Sequence, residues 1–149
     1  MHKISLALIL GLFSFNALAQ EERASADDAK ALLNKAASHY KASGRDKALS
    51  DFMDKSKGFH DRDLYVFCIK DGKTSAHGTN PAFVGKDVAP FKDPDGKAFA
   101  TEMYERGMKD GQGQVEYKWS HPSTKKLEVK SSFFQKIGED VCGVGHYKK

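Results

Sequence analysis

The segment Leu64 to Ile69, Leu-Tyr-Val-Phe-Cys-Ile, constrains the fold more than any other stretch of the chain. It is short and rich in aromatic and β-branched residues, and both of its alternating sets are apolar: Leu64, Val66 and Cys68 on one side, Tyr65, Phe67 and Ile69 on the other. A strand has a side-chain period of two, so a strand apolar on both sides must be covered on both faces. It is therefore interior to its sheet. The next residues, Asp71-Gly72, favour a two-residue hairpin turn, which predicts a return strand over Lys73 to His77.

The cover for those two faces is legible on either side of the hairpin. Ser25 to Asp28 has the Ser-x-x-acid form of a capping box. After it come Ala29, Leu32, Leu33, Ala36, Ala37 and Tyr40 at helical spacing, up to Gly44. A shorter second helix is expected, capped by Asp46, with Ala48, Leu49, Phe52 and Met53 inward and Gly58 beyond it. Residues 78–96 are punctuated by Asn80-Pro81, Ala89-Pro90 and Asp93-Pro94-Asp95-Gly96, and read as loops and turns. A helix over about Lys97 to Lys109 follows, with Phe99, Met103 and Gly107 four residues apart. Three strands complete the chain, over Gln114 to Ser120, Lys126 to Ile137 and Val141 to Tyr147. This order predicts an α+β domain with a five-stranded antiparallel sheet, the long N-terminal helix on one face and the loop-helix segment 78–109 over the other. A small ligand would occupy a cleft between the sheet and that crossing segment.

The first residues are read separately. Met1-His2-Lys3 is basic, Ile4 to Phe15 is an uncharged, mostly apolar run, and Ala17-Leu18-Ala19 is a small-x-small cleavage signal. Together they predict a signal peptide over residues 1–19, leaving 20–149 as one domain that is periplasmic or secreted. The apolar run is shorter than the roughly 20 residues of a membrane helix, and no comparable stretch follows, so no membrane-spanning helix is expected after cleavage. Losing Lys3 takes the net charge of +4 down by one. The remaining bases are dispersed among acids, which argues against a nucleic-acid partner.

The stretch from Leu64 to Tyr147 resembles the single Cache domain, type 2, an extracytoplasmic sensing module with a PAS-like sheet. The residues that carry the resemblance are Tyr65-Val-Phe67 with Asp71-Gly72, Ala76-His77 with Asn80-Pro81, Val84-Gly85-Lys86 and Asp93-Pro-Asp-Gly-Lys97. Further on they are Gly113, Val115-Glu-Tyr-Lys-Trp119, Pro122, Lys130 and Gly143-Val-Gly145, all in the family's order. The resemblance implies a ligand-sensing domain of the kind found in chemoreceptors and sensor kinases, binding small molecules that are often organic acids. With Lys149 as its last residue, this chain would be a free-standing binder acting through a separate partner, such as a membrane sensor kinase or chemoreceptor. It departs from the family pattern at Phe133, Cys142 and His146, which bears on the ligand.

A carboxylate entering a partly dry cleft needs donors to replace lost water. Lys130 is the candidate cation, at a position where the resemblance places a basic residue. Tyr117 offers a phenol, Trp119 an indole N–H and a flat wall, and His77 an imidazole whose charge could follow pH; Phe67 and Met103 offer apolar lining. The same residues admit plainer roles, Lys130 as a solvent-facing strand lysine and Tyr117 and Trp119 as core. His39, His60, His121 and His146 show no metal-ligand spacing, and each is read as structural or solvated. In an exported chain Cys68 and Cys142 favour a disulfide, and in a PAS-like sheet the first and last strands are neighbours. Neither lies in a C-x-x-C-H haem motif, and no cofactor is expected. Asp93-Pro-Asp-Gly96 with Glu102 copies part of a calcium loop, but Phe91 stands at the first ligand position, so the segment is read as a turn capping the next helix. Two other functions remain open. One is a small exported enzyme using His77, Lys130 and Cys68, although nucleophile motifs, paired carboxylates and phosphate loops are missing. The other is an accessory or inhibitory protein docking on a membrane receptor.

Overall fold

The computed structural model describes residues 23–149, so the signal peptide expected over 1–19 lies outside the described residues. Helix α1 spans Ala26–Ser43 and opens with the capping box: the Ser25 hydroxyl accepts from the Asp28 amide, and the Asp28 carboxylate accepts from the Ser25 amide. Gly44, at φ 86°, breaks α1 and directly precedes α2 (Arg45–Met53). The expected Asp46 cap is a correction. Gly44 is the N-cap, no side chain caps α2, and Asp46 is exposed in its first turn.

The strands are β1 (His60–Asp61), β2 (Leu64–Lys70), β3 (Lys73–His77), β4 (Gln112–Ser120), β5 (Leu127–Ile137) and β6 (Asp140–Tyr147), with α3 (Phe99–Asp110) before β4. All pairs are antiparallel. β2 is bonded to β6 on one side, and β1 and β3 share its other side along its length; β5 and β4 follow β6. The interior placement of β2 is thus met, and a two-residue β1 joins the five expected strands. Leu64, Val66 and Cys68 pack under α1 and α2, whereas Tyr65, Phe67 and Ile69 pack with Phe99, Ala100 and Met103 of α3. Gly107 lets α3 approach the sheet closely, since a Cβ there would lie 2.6 Å from Val141.

Two local features join β2 to its neighbours. Phe67 pairs with His77 and Cys68 with Ala76, but Ile69 pairs with Thr74, so Ser75 is an extra residue in a β-bulge. The bulge lets Thr74 and His77 face the same side while the Ser75 hydroxyl reaches the Asp140 carboxylate at 2.5 Å. Cys68 and Cys142 lie directly opposite each other on β2 and β6 and form a disulfide. The bridge closes a sequence separation of 74 residues. Loop-closure entropy sets a ceiling of about 4 kcal/mol for such a link. Replacing both cysteines by alanine is expected to lower unfolding stability by about 2–4 kcal/mol in urea titrations; an unchanged midpoint would mean the bridge adds nothing to the paired strands.

Candidate functional site

Beneath α3 and the 78–98 crossing segment the sheet leaves a cavity of about 30 Å³, lined by Phe67, His77, Met103, Tyr117, Trp119 and Lys130. These are all six of the ligand-site candidates from the sequence, and the fold brings them together. The space corresponds to about two water molecules.

Lys130 is 1% exposed. Its strand position turns the amine inward, so the solvent-facing alternative does not describe it. Nζ donates to the Tyr65 hydroxyl at 2.9 Å and lies 4.1, 5.3 and 5.5 Å from the ring centres of Tyr65, Tyr147 and Phe67. Burial disfavours the charge, but the phenols of Tyr117 and Tyr65 and the Tyr65 hydrogen bond more than offset it, and the amine's pKa is raised. Asp63 acts on Lys130 only through space; among the described residues no carboxylate forms a hydrogen bond or ion pair with it. A buried ammonium is thus held by one neutral hydroxyl and by aromatic faces.

Glycines on β6 create the room. Gly143 and Gly145 lie on the cavity side, and a Cβ at Gly143 would sit 2.5 Å from the Phe67 ring. One at Gly145 would sit 2.5 Å from Lys130 Cε and would also strike the Ser132 hydroxyl. These are distances that real Cβ atoms do not tolerate, so larger residues there would displace the lysine stem.

His77 is 8% exposed. Its Nδ1 accepts from the Asn80 amide at 3.1 Å, which leaves the proton on Nε2, a nitrogen with no hydrogen-bond partner among the described residues. Burial, then the Lys130 charge, push its pKa down to about 3. The expectation that its charge follows pH is therefore corrected: the imidazole is a neutral donor across the neutral range. The unfolded histidine takes its proton near pH 6.5 and the folded one near 3, so between those values the unfolded state carries the extra proton and stability falls with acid. From pH 6.5 to 5 the expected loss is about 2 kcal/mol. Burial of His146 contributes in the same direction. Urea midpoints across that window should show the slope in wild type and a shallower one in His77→Gln; equal slopes would remove His77 as its source.

Tyr117 stacks on Phe99 with ring centres 4.0 Å apart, and its hydroxyl is engaged with Ser132 at 2.9 Å. Trp119 packs edge-on to Phe99 at 5.2 Å. Both therefore serve as core and as cavity wall at once. Sequence reasoning passed over Tyr65, Thr74, Phe83, Val88, Phe91 and Phe99, which also line the cavity. Tyr65 had a usable signal, being two residues before Phe67 on the same strand face. Phe83 and Phe91 lie on an aperiodic segment and carried none.

The remaining candidates lie elsewhere. Asp93 accepts from the amides of Asp95 and Lys97 at 3.0 Å and of Lys118 at 3.2 Å. It closes its own loop and ties it to β4; it does not cap α3, whose N-cap Ala98 has no side-chain bond. His39 bonds Asp51, His60 donates to the Gly78 carbonyl, His121 packs on Tyr147, and His146 stacks on Phe133. No group of three or more metal-ligating side chains occurs among the described residues, nor does a helix long and apolar enough to cross a membrane.

The family description Single Cache domain 2 matches residues 13–141. The fold is similar to a methyl-accepting chemotaxis protein from Vibrio parahaemolyticus RIMD 2210633, with a TM-score of 0.70 and 20% identity over 81% of this chain and 86% of that one. At that identity the likeness speaks to the fold. The periplasmic sensor domain of a chemotaxis protein is similar with a TM-score of 0.64 and 25% identity, over 83% of this chain and 90% of that one. A structure described as the basis for carboxylic acid recognition by a Cache chemosensory domain is similar with a TM-score of 0.60 and 25% identity, over 83% and 88%. Among curated proteins none matches.

Proposed function

The chain belongs to the single Cache domain 2 family, and from that premise we propose that it is an extracytoplasmic sensor domain that binds a small monocarboxylate on Lys130. Its signalling output runs through a membrane receptor or kinase. One observation carries the reading: the buried Lys130 ammonium has no ion-paired carboxylate among the described residues. Burial opposes the charge and the surrounding phenols hold it without a counter-ion, so an anion arriving from solvent supplies the missing partner. The His77 Nε2–H offers a second, neutral donor. The similarity to a domain described as recognising carboxylic acids supports the same reading.

Charge count narrows the ligand. The cavity lining offers one cation and no carboxylate, which suits one negative charge and leaves the ammonium of an amino acid or the second carboxylate of a diacid without a partner. The enzyme alternative loses the Cys68 thiol, which is engaged in the disulfide. Calorimetric titration with acetate, glycine, succinate and acetamide tests the proposal. Acetate is expected to bind and the other three to bind at least tenfold more weakly. Equal binding of acetate and acetamide, or binding of neither, would remove the charge-based reading.

A further inference from the structure

A second hollow adjoins the cavity. On the outer side of Phe83 and Trp119 runs an open groove of about 500 Å³, whose walls also include Pro94, Leu127 and the stems of Lys92 and Lys118. Phe83 and Trp119 line both spaces. Their ring centres are 6.2 Å apart, and Phe91 closes against them at 5.1 Å from Phe83 and 6.5 Å from Trp119. Leu127, at the rim of the groove, is 54% exposed, the highest value among the large apolar side chains.

We infer that Phe83 is the specificity-determining residue for ligand length, a removable partition between the carboxylate cavity and an apolar groove that would take the tail of a longer acid. This rests on the Lys130 reading of function and adds the basis of size selection to it. The inner space admits about two water molecules' worth of ligand, the footprint of the smallest carboxylates. Beyond the partition Phe83, Trp119, Pro94 and Leu127 give an apolar wall, with Lys92, Asp93, Lys118 and Ser120 along it. Lys118 is ion-paired with Asp95 at 3.0 Å, and the Asp93 carboxylate is taken up by backbone amides. The groove therefore suits an alkyl or aryl chain. Phe83 sits on a short 3₁₀ turn, Pro81–Phe83, outside the sheet and helices and only half-buried, so truncation opens the wall without cutting into the main core.

The test compares wild type, Phe83→Ala and Phe83→Leu against acetate, hexanoate and the neutral probe 1-hexanol. Affinity is read by calorimetry and by fluorescence of Trp119, the only tryptophan of the chain. Expected is a gain of at least tenfold in the ratio of hexanoate to acetate affinity for Phe83→Ala alone, with a matching Trp119 response. If Phe83→Ala still binds acetate yet the ratio of hexanoate to acetate affinity does not rise, the partition is overturned and the carboxylate reading stands. If no protein binds either acid but 1-hexanol perturbs Trp119 in Phe83→Ala only, the partition stands and the carboxylate reading fails. If none of the three probes distinguishes Phe83→Ala from wild type, the partition is overturned.

Discussion

Lys130→Met is expected to weaken acetate binding by about 30-fold or more while leaving the domain folded with a melting temperature close to that of wild type. The two halves of this result come from one fact. The ammonium is buried at 1% exposure against three aromatic rings, with a single neutral hydrogen-bond acceptor. Methionine keeps the unbranched stem and deletes the charge, so the bound anion loses its partner, which costs about 2–5 kcal/mol for a buried charge pair. In the free protein the same change removes the burial cost together with the phenol contacts that offset it, so the net effect on stability is small. The Tyr65 hydroxyl loses one donor, a cost of about 1 kcal/mol. Differential scanning calorimetry beside binding calorimetry reads both. A variant that loses several kcal/mol of stability would mark Lys130 as a structural member of the core, and one that binds acetate normally would place the ligand elsewhere.

Asp140→Ala is expected to be the most destabilising single substitution among the polar residues outside the cavity, by about 3–5 kcal/mol. The carboxylate is fully buried and gathers four donors: the Arg45 guanidinium through Nε at 2.8 Å and Nη2 at 3.1 Å, the Tyr40 hydroxyl at 2.6 Å and the Ser75 hydroxyl at 2.5 Å. These come from α1, the first turn of α2 and the bulge of β3, so one side chain at the start of β6 fastens both helices and the hairpin. Burial and the Asp140 bond push the Tyr40 phenol up to about 12. Removing the acid leaves the Tyr40 and Ser75 hydroxyls without their partner next to the core and the Arg45 guanidinium with only the exposed Asp46, at 3.7 Å. Urea denaturation should show the loss, and Asp140→Asn, which keeps some of the hydrogen bonds, should recover part of it. A loss below about 1 kcal/mol for Asp140→Ala, the worth of a single ordinary hydrogen bond, would mean the helices hold without this tie.

The parts of this fold that were legible in the sequence are those with a period. Alternation placed β2 inside the sheet, the helical spacing of Leu32, Leu33, Ala36 and Tyr40 set the face of α1, and Phe99, Met103 and Gly107 set that of α3. What lacked a period was hidden. β1 is two residues long, the extra residue in β3 appears only when Phe67 and Ile69 are matched to their partners, and Asp140 fell outside the expected strands with no sign of a role because the four donors it collects are 65 or more positions away. The six site candidates lie together, but the properties that make the place chemically distinctive are tertiary. The neutral state of His77 depends on burial and on the Lys130 charge, and the depth of Lys130 depends on Gly145 across the sheet.

The most direct measurement is a crystal structure of the protein saturated with acetate, compared with one grown in its absence. Carboxylate binding on Lys130 predicts an acetate inside the cavity with one oxygen within hydrogen-bond reach of Lys130 Nζ and the methyl group toward Phe83. An unchanged cavity in which the Lys130 amine keeps only the Tyr65 hydroxyl, with acetate elsewhere or nowhere, would contradict it.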